Sequence, residues 1–238
     1  MEDKLRQKRL RLLIKKLNKD RKKQNQKIDI LCNDFISAQR NFIQKLGIID
    51  FTANFYELIL GITDLSKLLC TAVEFIRDPI LQKDRKMGIL KADREDINIT
   101  FFLRQSYEER ITAESHQLHQ DNNYELHIFE SNQPATIEKH YIESCFTQEL
   151  MDNISNSNKV CNLNDMYAMG LDGNLNELNK ISAATIPLGL LGSSLGFILI
   201  YRSSEKKLTA DEISRISAVI SGLSRAITSC RALSRAAD

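Results

Sequence analysis

Apolar side chains recur through the first part of the chain at alternating spacings of four and three. Leu10, Ile14, Leu17, Arg21, Gln24, Ile28, Leu31, Phe35, Ala38 and Phe42 keep this step without a slip, which is the seam of a heptad repeat. Ile14, Ile28, Phe35 and Phe42 occupy one core position, and Leu10, Leu17, Leu31 and Ala38 the other. Arg21 and Gln24 interrupt the seam, where polar residues lower stability but can fix register and strand number. No glycine or proline precedes Gly47. The pattern therefore predicts one helix from about Leu5 to beyond Leu46, roughly 60 Å long at 1.5 Å per residue. A helix of that length cannot bury its stripe against a small domain, so a parallel homodimer is expected. The alternative is a helix folded back on its own domain.

Gly47 is a point where the helix can soften, yet Phe51, Phe55 and Leu58 continue an apolar face towards Leu60. Gly61-Ile62-Thr63-Asp64 reads as a stop and a restart, with Thr63 or Asp64 capping a second helix. That helix carries Leu65, Leu68, Leu69, Ala72, Val73 and Ile76 and is expected to end before Pro79. Lys86–Leu90 and Ile97–Leu103 read as strands separated by the polar turn Lys91–Asp96. Ser106–Gln120 reads as a polar helix, Tyr124–Phe129 as an alternating strand, and Ser131–Thr136, with Pro134, as a loop. A short helix is expected over Ile142–Ile154 and a short strand over Lys159–Leu163. Asn164–Lys180 is polar and rich in Asn, Asp and Gly, and reads as a long loop of the kind that is usually functional or mobile.

Two apolar runs follow, Ala183–Leu188 and Leu195–Tyr201, each of strand length. Gly189, Gly192 and Ser193-Ser194 punctuate the stretch between them, so a β-hairpin in the middle of a sheet is expected. Pro187 cannot donate to a ladder and should sit at an edge or a bulge. A last helix opens with Thr209 as N-cap and Asp211-Glu212 in its first turn. Its apolar positions, Ile213, Ile216, Ile220, Leu223, Ile227 and Cys230, keep heptad spacing.

The hairpin and this helix resemble the C-terminal half of a GAF domain, the small-molecule-sensing module of signalling proteins. The matching residues are Ile186-Pro187-Leu188, Gly192, Leu195-Gly196-Phe197 and Leu208-Thr209-Ala210-Asp211-Glu212. The resemblance covers about a quarter of the chain well and more of it loosely. It implies an α+β fold, a central antiparallel β-sheet flanked by helices, here behind a long N-terminal coiled-coil helix. It also implies a ligand site above the sheet. Phe129, Thr185 and Phe197 would form its floor, with Cys145, Phe146, Leu150, Asp165, Met166 and Tyr167 above. Each of these residues reads equally well as plain core or plain loop.

Composition narrows the function. The chain has 238 residues, a net charge of +2 and 42% hydrophobic content, an ordinary balance for a soluble protein. No apolar run approaches the ~18 residues of a membrane span, and the basic N-terminus lacks a signal peptide's apolar core. Five scattered cysteines without a CxxC pair read as reduced cytoplasmic thiols rather than a disulfide framework or zinc site. Met1–Lys27 is dense in Lys and Arg; it reads as a solvated helix face, with nucleic acid or an acidic membrane as the other readings.

No catalytic set emerges. The His116 and His119 pair lacks the acidic partners of a metal site on facing helices, so no metal is expected. Among GAF-like proteins, the free methionine-(R)-sulfoxide reductases place a cysteine near the position of Cys145. The further cysteine they carry before the hairpin is missing from Tyr167–Ser182, and without a resolving thiol turnover is hard to build. The cyclic-nucleotide-binding pattern keeps Asp211-Glu212 but not the Asn-Lys and Phe that should precede it, since Glu205-Lys206-Lys207-Leu208 stands there. The Cys-His pair of bilin attachment is absent.

The expected organisation is a dimerising helix over 1–60 and a GAF-like domain over 61–238. The dimer contacts are assigned to Leu10, Ile14, Leu17, Ile28, Leu31, Phe35 and Phe42, together with Ile216, Ile220, Leu223 and Ile227 of the last helix. The expected function is regulatory and non-enzymatic: a small molecule binds, and a dimeric helical bundle transmits the change. The chain ends soon after the last helix, so the output is expected in a protein partner or in dimerisation itself. A ligand-free scaffold and a nucleic-acid-associated regulator are the alternatives, and no cofactor is assigned.

Overall fold

The heptad pattern becomes one uninterrupted helix. In the computed structural model, which describes residues 2–86, 97–105, 123–130 and 140–237, helix α1 spans Glu2–Ile59 and passes through Gly47 without a break. The chain divides into two compact units, Met1–Asp50 and Phe51–Asp238. In the first, Leu10, Ile14, Leu17, Ile28, Leu31, Phe35 and Phe42 are each more than half exposed.

In the second unit the end of α1 leads through Gly61 to helix α2, Leu65–Lys86. Asp64 caps it, its Oδ1 accepting from the Lys67 backbone N–H at 2.6 Å. The stop expected at Pro79 does not occur. A proline inside a helix forfeits one hydrogen bond and crowds the carbonyl four residues back. The turns before it are anchored by Leu68, Leu69, Ala72, Val73 and Ile76, all buried, and the helix continues to Lys86. Lys86 therefore belongs to a helix, and the rest of the strand expected over 86–90 lies outside the described residues. So do the helix expected over 106–120, with His116 and His119, and the loop over 131–136.

Five strands form one antiparallel sheet. They are β1 (Asn98–Arg104), β2 (Tyr124–Phe129), β3 (Cys161–Asn162), β4 (Ile181–Leu190) and β5 (Ser193–Ser203), in the order β2-β1-β5-β4-β3. The β4–β5 hairpin lies inside the sheet, as its apolar runs indicated. Its turn is Leu191-Gly192, with φ of 51° and 83°, the doubly positive pair that matches the twist of the flanking strands. Pro187 lies just before a register shift at Leu188/Gly189 and beyond the short β3 pairing at Ala184 and Thr185. Gly196 (φ 123°) permits close approach of β1: a Cβ there would meet the Phe102 carbonyl oxygen at 1.8 Å.

Strand alternation sends side chains to two faces. One face presents Ile99, Phe101, Leu103, Ile186, Leu188, Ile198 and Ile200 to α2, to Phe55 and Ile59 at the end of α1, and to helix α7 (Ala210–Ala237). Thr209 and Glu212 close a reciprocal capping box on α7. Gly222 lets Tyr56 of α1 lie against α7, since a Cβ there would fall 1.8 Å from the tyrosine ring. Ile216, Ile220, Leu223 and Ile227 were expected at a dimer seam. They are instead buried core residues on this face of the chain itself, because a three-layer domain needs the apolar stripe of its last helix to cover the sheet.

The other face is roofed by four short helices: α3 (Tyr141–Ser144), α4 (Gln148–Asn156), α5 (Leu163–Ala168) and α6 (Leu175–Leu178). Two expectations change here. The helix expected over 142–154 is two helices, because Thr147 caps α4 by accepting from the Leu150 N–H at 3.3 Å. The loop expected over 164–180 contains α5 and α6. Asn162 and Asp165 form a reciprocal capping box for α5, and Asn174 caps α6.

Candidate functional site

The candidate site is the layer between this second face and α3–α6. Period-two alternation supplies its floor: Phe102 from β1, Tyr124 from β2, Ile181 and Ala183 from β4, and Phe197, Leu199 and Tyr201 from β5. Its roof is Cys145, Phe146, Leu150, Met151, Ile154, Met166, Leu171 and Leu178. Cross-strand partners Phe102 and Phe197 stack with centroids 4.5 Å apart. Phe146 stacks on Phe197 at 5.7 Å and lies 5.1 Å from Phe102. The middle of the layer is thus filled by three aromatic rings.

Of the nine residues assigned to a ligand site, Cys145, Phe146, Leu150, Met166, Tyr167 and Phe197 meet in this one cluster. Thr185 is fully buried in β4, its hydroxyl donating to the Cys161 carbonyl at 3.4 Å. Asp165 is exposed, and its carboxylate caps α5 by accepting from the Asn162 N–H at 2.9 Å. Phe129 is on the opposite face of the sheet, edge-on to Phe101 at 5.9 Å and packed against the α2 and α7 layer. It is one residue out of phase with Tyr124 and Leu126, and a one-residue step changes the face.

Polar groups border the aromatic centre. Glu143 of α3 is 6% exposed. Its Oε1 accepts from the Thr100 hydroxyl at 2.7 Å, while its buried Oε2 has no hydrogen-bond partner of good geometry among the described residues. Tyr201 lies beside it. Burial holds the Tyr201 phenol above its ordinary range, and the nearby Glu143 charge adds to the effect. The Tyr167 hydroxyl is also buried without a hydrogen-bond partner among the described residues, and burial raises its phenol as well. The Cys145 thiol donates to the Tyr141 carbonyl at 3.2 Å. Burial pushes this thiol up, with Asp172 and Glu143 adding charge of the wrong sign for a thiolate. All five cysteines are free.

At the far end of the layer Asp152 accepts from three side chains. Arg104 donates to Oδ1 at 2.6 Å, the Tyr124 hydroxyl donates to Oδ1 at 2.9 Å and Gln148 donates to Oδ2 at 3.1 Å. Ser155 shares the Tyr124 hydroxyl at 2.9 Å. Burial alone would raise the Asp152 carboxyl; the hydrogen bonds from Gln148, Tyr124 and Arg104 and the Arg104 charge outweigh it and hold the group below its ordinary range.

Glu143, Thr100 and Tyr201 were not singled out in the sequence. Thr100 gave a partial signal as a hydroxyl inside an apolar strand. Glu143 gave none, because its burial depends on where α3 lands. An open groove of about 410 Å³ lies at the hairpin turn, lined by Pro187, Gly189, Leu191, Ser217, Ile220 and Ser221. None of the nine assigned residues lines it. Among the described residues, no three His, Cys, Asp or Glu side chains are placed to share a metal, and no helix is long and apolar enough to cross a membrane.

No family model matches the chain, and no curated protein does. Among solved structures, the chain is similar to the GAF domain from a phosphoenolpyruvate-protein phosphotransferase of Coxiella burnetii. The TM-score is 0.44 and the identity 11%, over 80% of this chain and 98% of that one.

Proposed function

We propose that the chain is a GAF-like regulatory protein of the cytoplasm, dimeric through α1, which binds a small molecule between the sheet and α3–α6. The observation that carries this reading is the pair of buried polar atoms in that layer without a hydrogen-bond partner among the described residues, Glu143 Oε2 and the Tyr167 hydroxyl. An unpaired buried polar atom costs about 1–3 kcal/mol, which a ligand bearing an N–H or O–H donor would relieve. The exposed heptad stripe of α1 supports the dimer. The ligand would act by population shift, moving the α3–α6 roof by no more than its differential affinity for two arrangements. The response would pass through the helices to a protein partner.

A ligand-free dimeric scaffold is the second reading, and the aromatic filling by Phe102, Phe146 and Phe197 favours it. Native mass spectrometry of the purified chain, beside its denatured mass, separates the two. A dimer carrying an adduct that denaturation releases, and that Glu143→Gln loses, supports the sensor. A dimer without adduct supports the scaffold, and a monomer overturns both.

A further inference from the structure

Charge is divided unevenly along the chain. Residues 1–27 hold twelve Lys and Arg against three Asp and Glu, a net of +9 in a chain whose total is +2, so the remaining residues carry −7. From Lys4 to Lys27 the lone acidic residue is Asp20. Lys15, Lys19, Lys23 and Lys27 follow one another at i, i+4 on α1, a spacing at which like charges destabilise a helix. A helix needing only solubility would alternate signs there.

The cations are also ordered around the axis. At 3.6 residues per turn, Arg11, Lys15 and Lys22 form one row, and Arg9, Lys16 and Lys23 a second row about 120° away. All six are exposed. Lys19 lies between the rows, and the apolar seam of Leu10, Ile14 and Leu17 lies on the opposite side of the helix. We propose that this face of α1 binds double-helical DNA, lying in the major groove with its two cation rows against the two phosphate strands. That groove, about 12 Å wide, admits one α-helix. The deep, narrow major groove of A-form RNA does not. An acidic membrane fits less well, because Arg21 and Gln24 interrupt the face that would enter the lipid, and residues 1–34 contain no aromatic anchor. The inference rests on unit one alone, so it stands or falls independently of the ligand site.

The test is fluorescence anisotropy of the full chain with a 24-base-pair mixed-sequence DNA duplex, an RNA duplex of the same length and, by co-sedimentation, phosphatidylcholine vesicles containing phosphatidylserine. About six phosphate contacts predict a loss of DNA affinity of roughly a thousandfold between 50 and 200 mM salt. Lys15→Gln with Lys16→Gln, Lys22→Gln and Lys23→Gln should lower the salt slope by about four, at ~0.9 per contact, with helicity by circular dichroism retained. Absence of DNA binding at 50 mM salt, an unchanged slope in the variant, equal affinity for the RNA duplex, or preference for the vesicles would each overturn the proposal.

Discussion

Glu212 ties the start of α7 to the sheet, and removing it separates two contributions. Its Oε2 accepts from the Thr209 backbone N–H at 2.6 Å and pairs with Arg202 Nη2 at 3.0 Å; both side chains of the pair are 10% exposed. Glu212→Ala removes the carboxylate half of the capping box and leaves the Arg202 guanidinium buried without its anion. Loss of one member of a buried pair costs about 3–5 kcal/mol, and Arg202 still donates to the Lys207 carbonyl, so about 4 kcal/mol is expected for the alanine variant. Glu212→Gln keeps an oxygen for the cap and a neutral acceptor for Arg202, so about 2 kcal/mol is expected. Arg202→Met combined with Glu212→Gln should recover part of the loss, since no buried charge then remains. The assay is urea unfolding followed by tyrosine fluorescence. The chain has no Trp, and its six tyrosines all lie beyond residue 50, so the signal follows the sheet unit rather than the N-terminal helix. An alanine variant within about 1 kcal/mol of the parent, or a glutamine variant as damaged as the alanine one, would refute the reasoning.

Gly196→Ala should be among the most damaging single-methyl additions, because its Cβ would sit 1.8 Å from the Phe102 carbonyl oxygen at φ 123°; a loss above about 3 kcal/mol or insoluble expression is expected, and wild-type melting would refute it. The depressed Asp152 carboxyl stabilises the fold above its unfolded pKa, and this contribution is lost as pH falls through the lower folded value. Asp152→Asn should therefore flatten the acid limb of the stability curve below about pH 4, by no more than about 1 kcal/mol since the pair is partly exposed; an unchanged limb would contradict the assignment. Phe35→Glu with Phe42→Glu should leave the tyrosine-detected melt intact and convert a dimer to monomer in sedimentation equilibrium, since both side chains are exposed on α1; a dimer that survives would remove the seam. Cys145 should react with iodoacetamide at pH 8 far more slowly than the exposed Cys32 and Cys70, as read by peptide mass spectrometry; equal labelling would refute its burial.

Local patterns carried much of the architecture. The 3.5-residue step from Leu10 to Phe42 determined a long helix with an apolar stripe. Alternation and β-branching marked β2 at its observed ends and β1 within one residue. Thr209 as N-cap, followed by Asp211-Glu212 in the first turn, marked the start of α7. All of these are short-range signals, decided by backbone periodicity and by hydrogen bonds over three or four residues. Some short-range signals were legible but not read: Thr147 before Gln148-Glu149-Leu150, and Asn162-x-x-Asp165, mark the starts of α4 and α5.

Tertiary structure alone decided which partner each apolar surface meets. The stripes of α1 and α7 both keep heptad spacing, yet Ile216 to Ile227 cover the chain's own sheet while Leu10 to Phe42 remain exposed. Spacing defines a stripe but not what covers it, because burying apolar area is favourable against any apolar surface. Phe129 and Phe197 were equally plausible floor residues until strand register sent them to opposite faces. Glu143 became the buried carboxylate of the candidate site, with one oxygen bonded to the Thr100 hydroxyl, when α3 was laid over Thr100 and Tyr201, a juxtaposition of residues more than forty positions apart that no local pattern encodes.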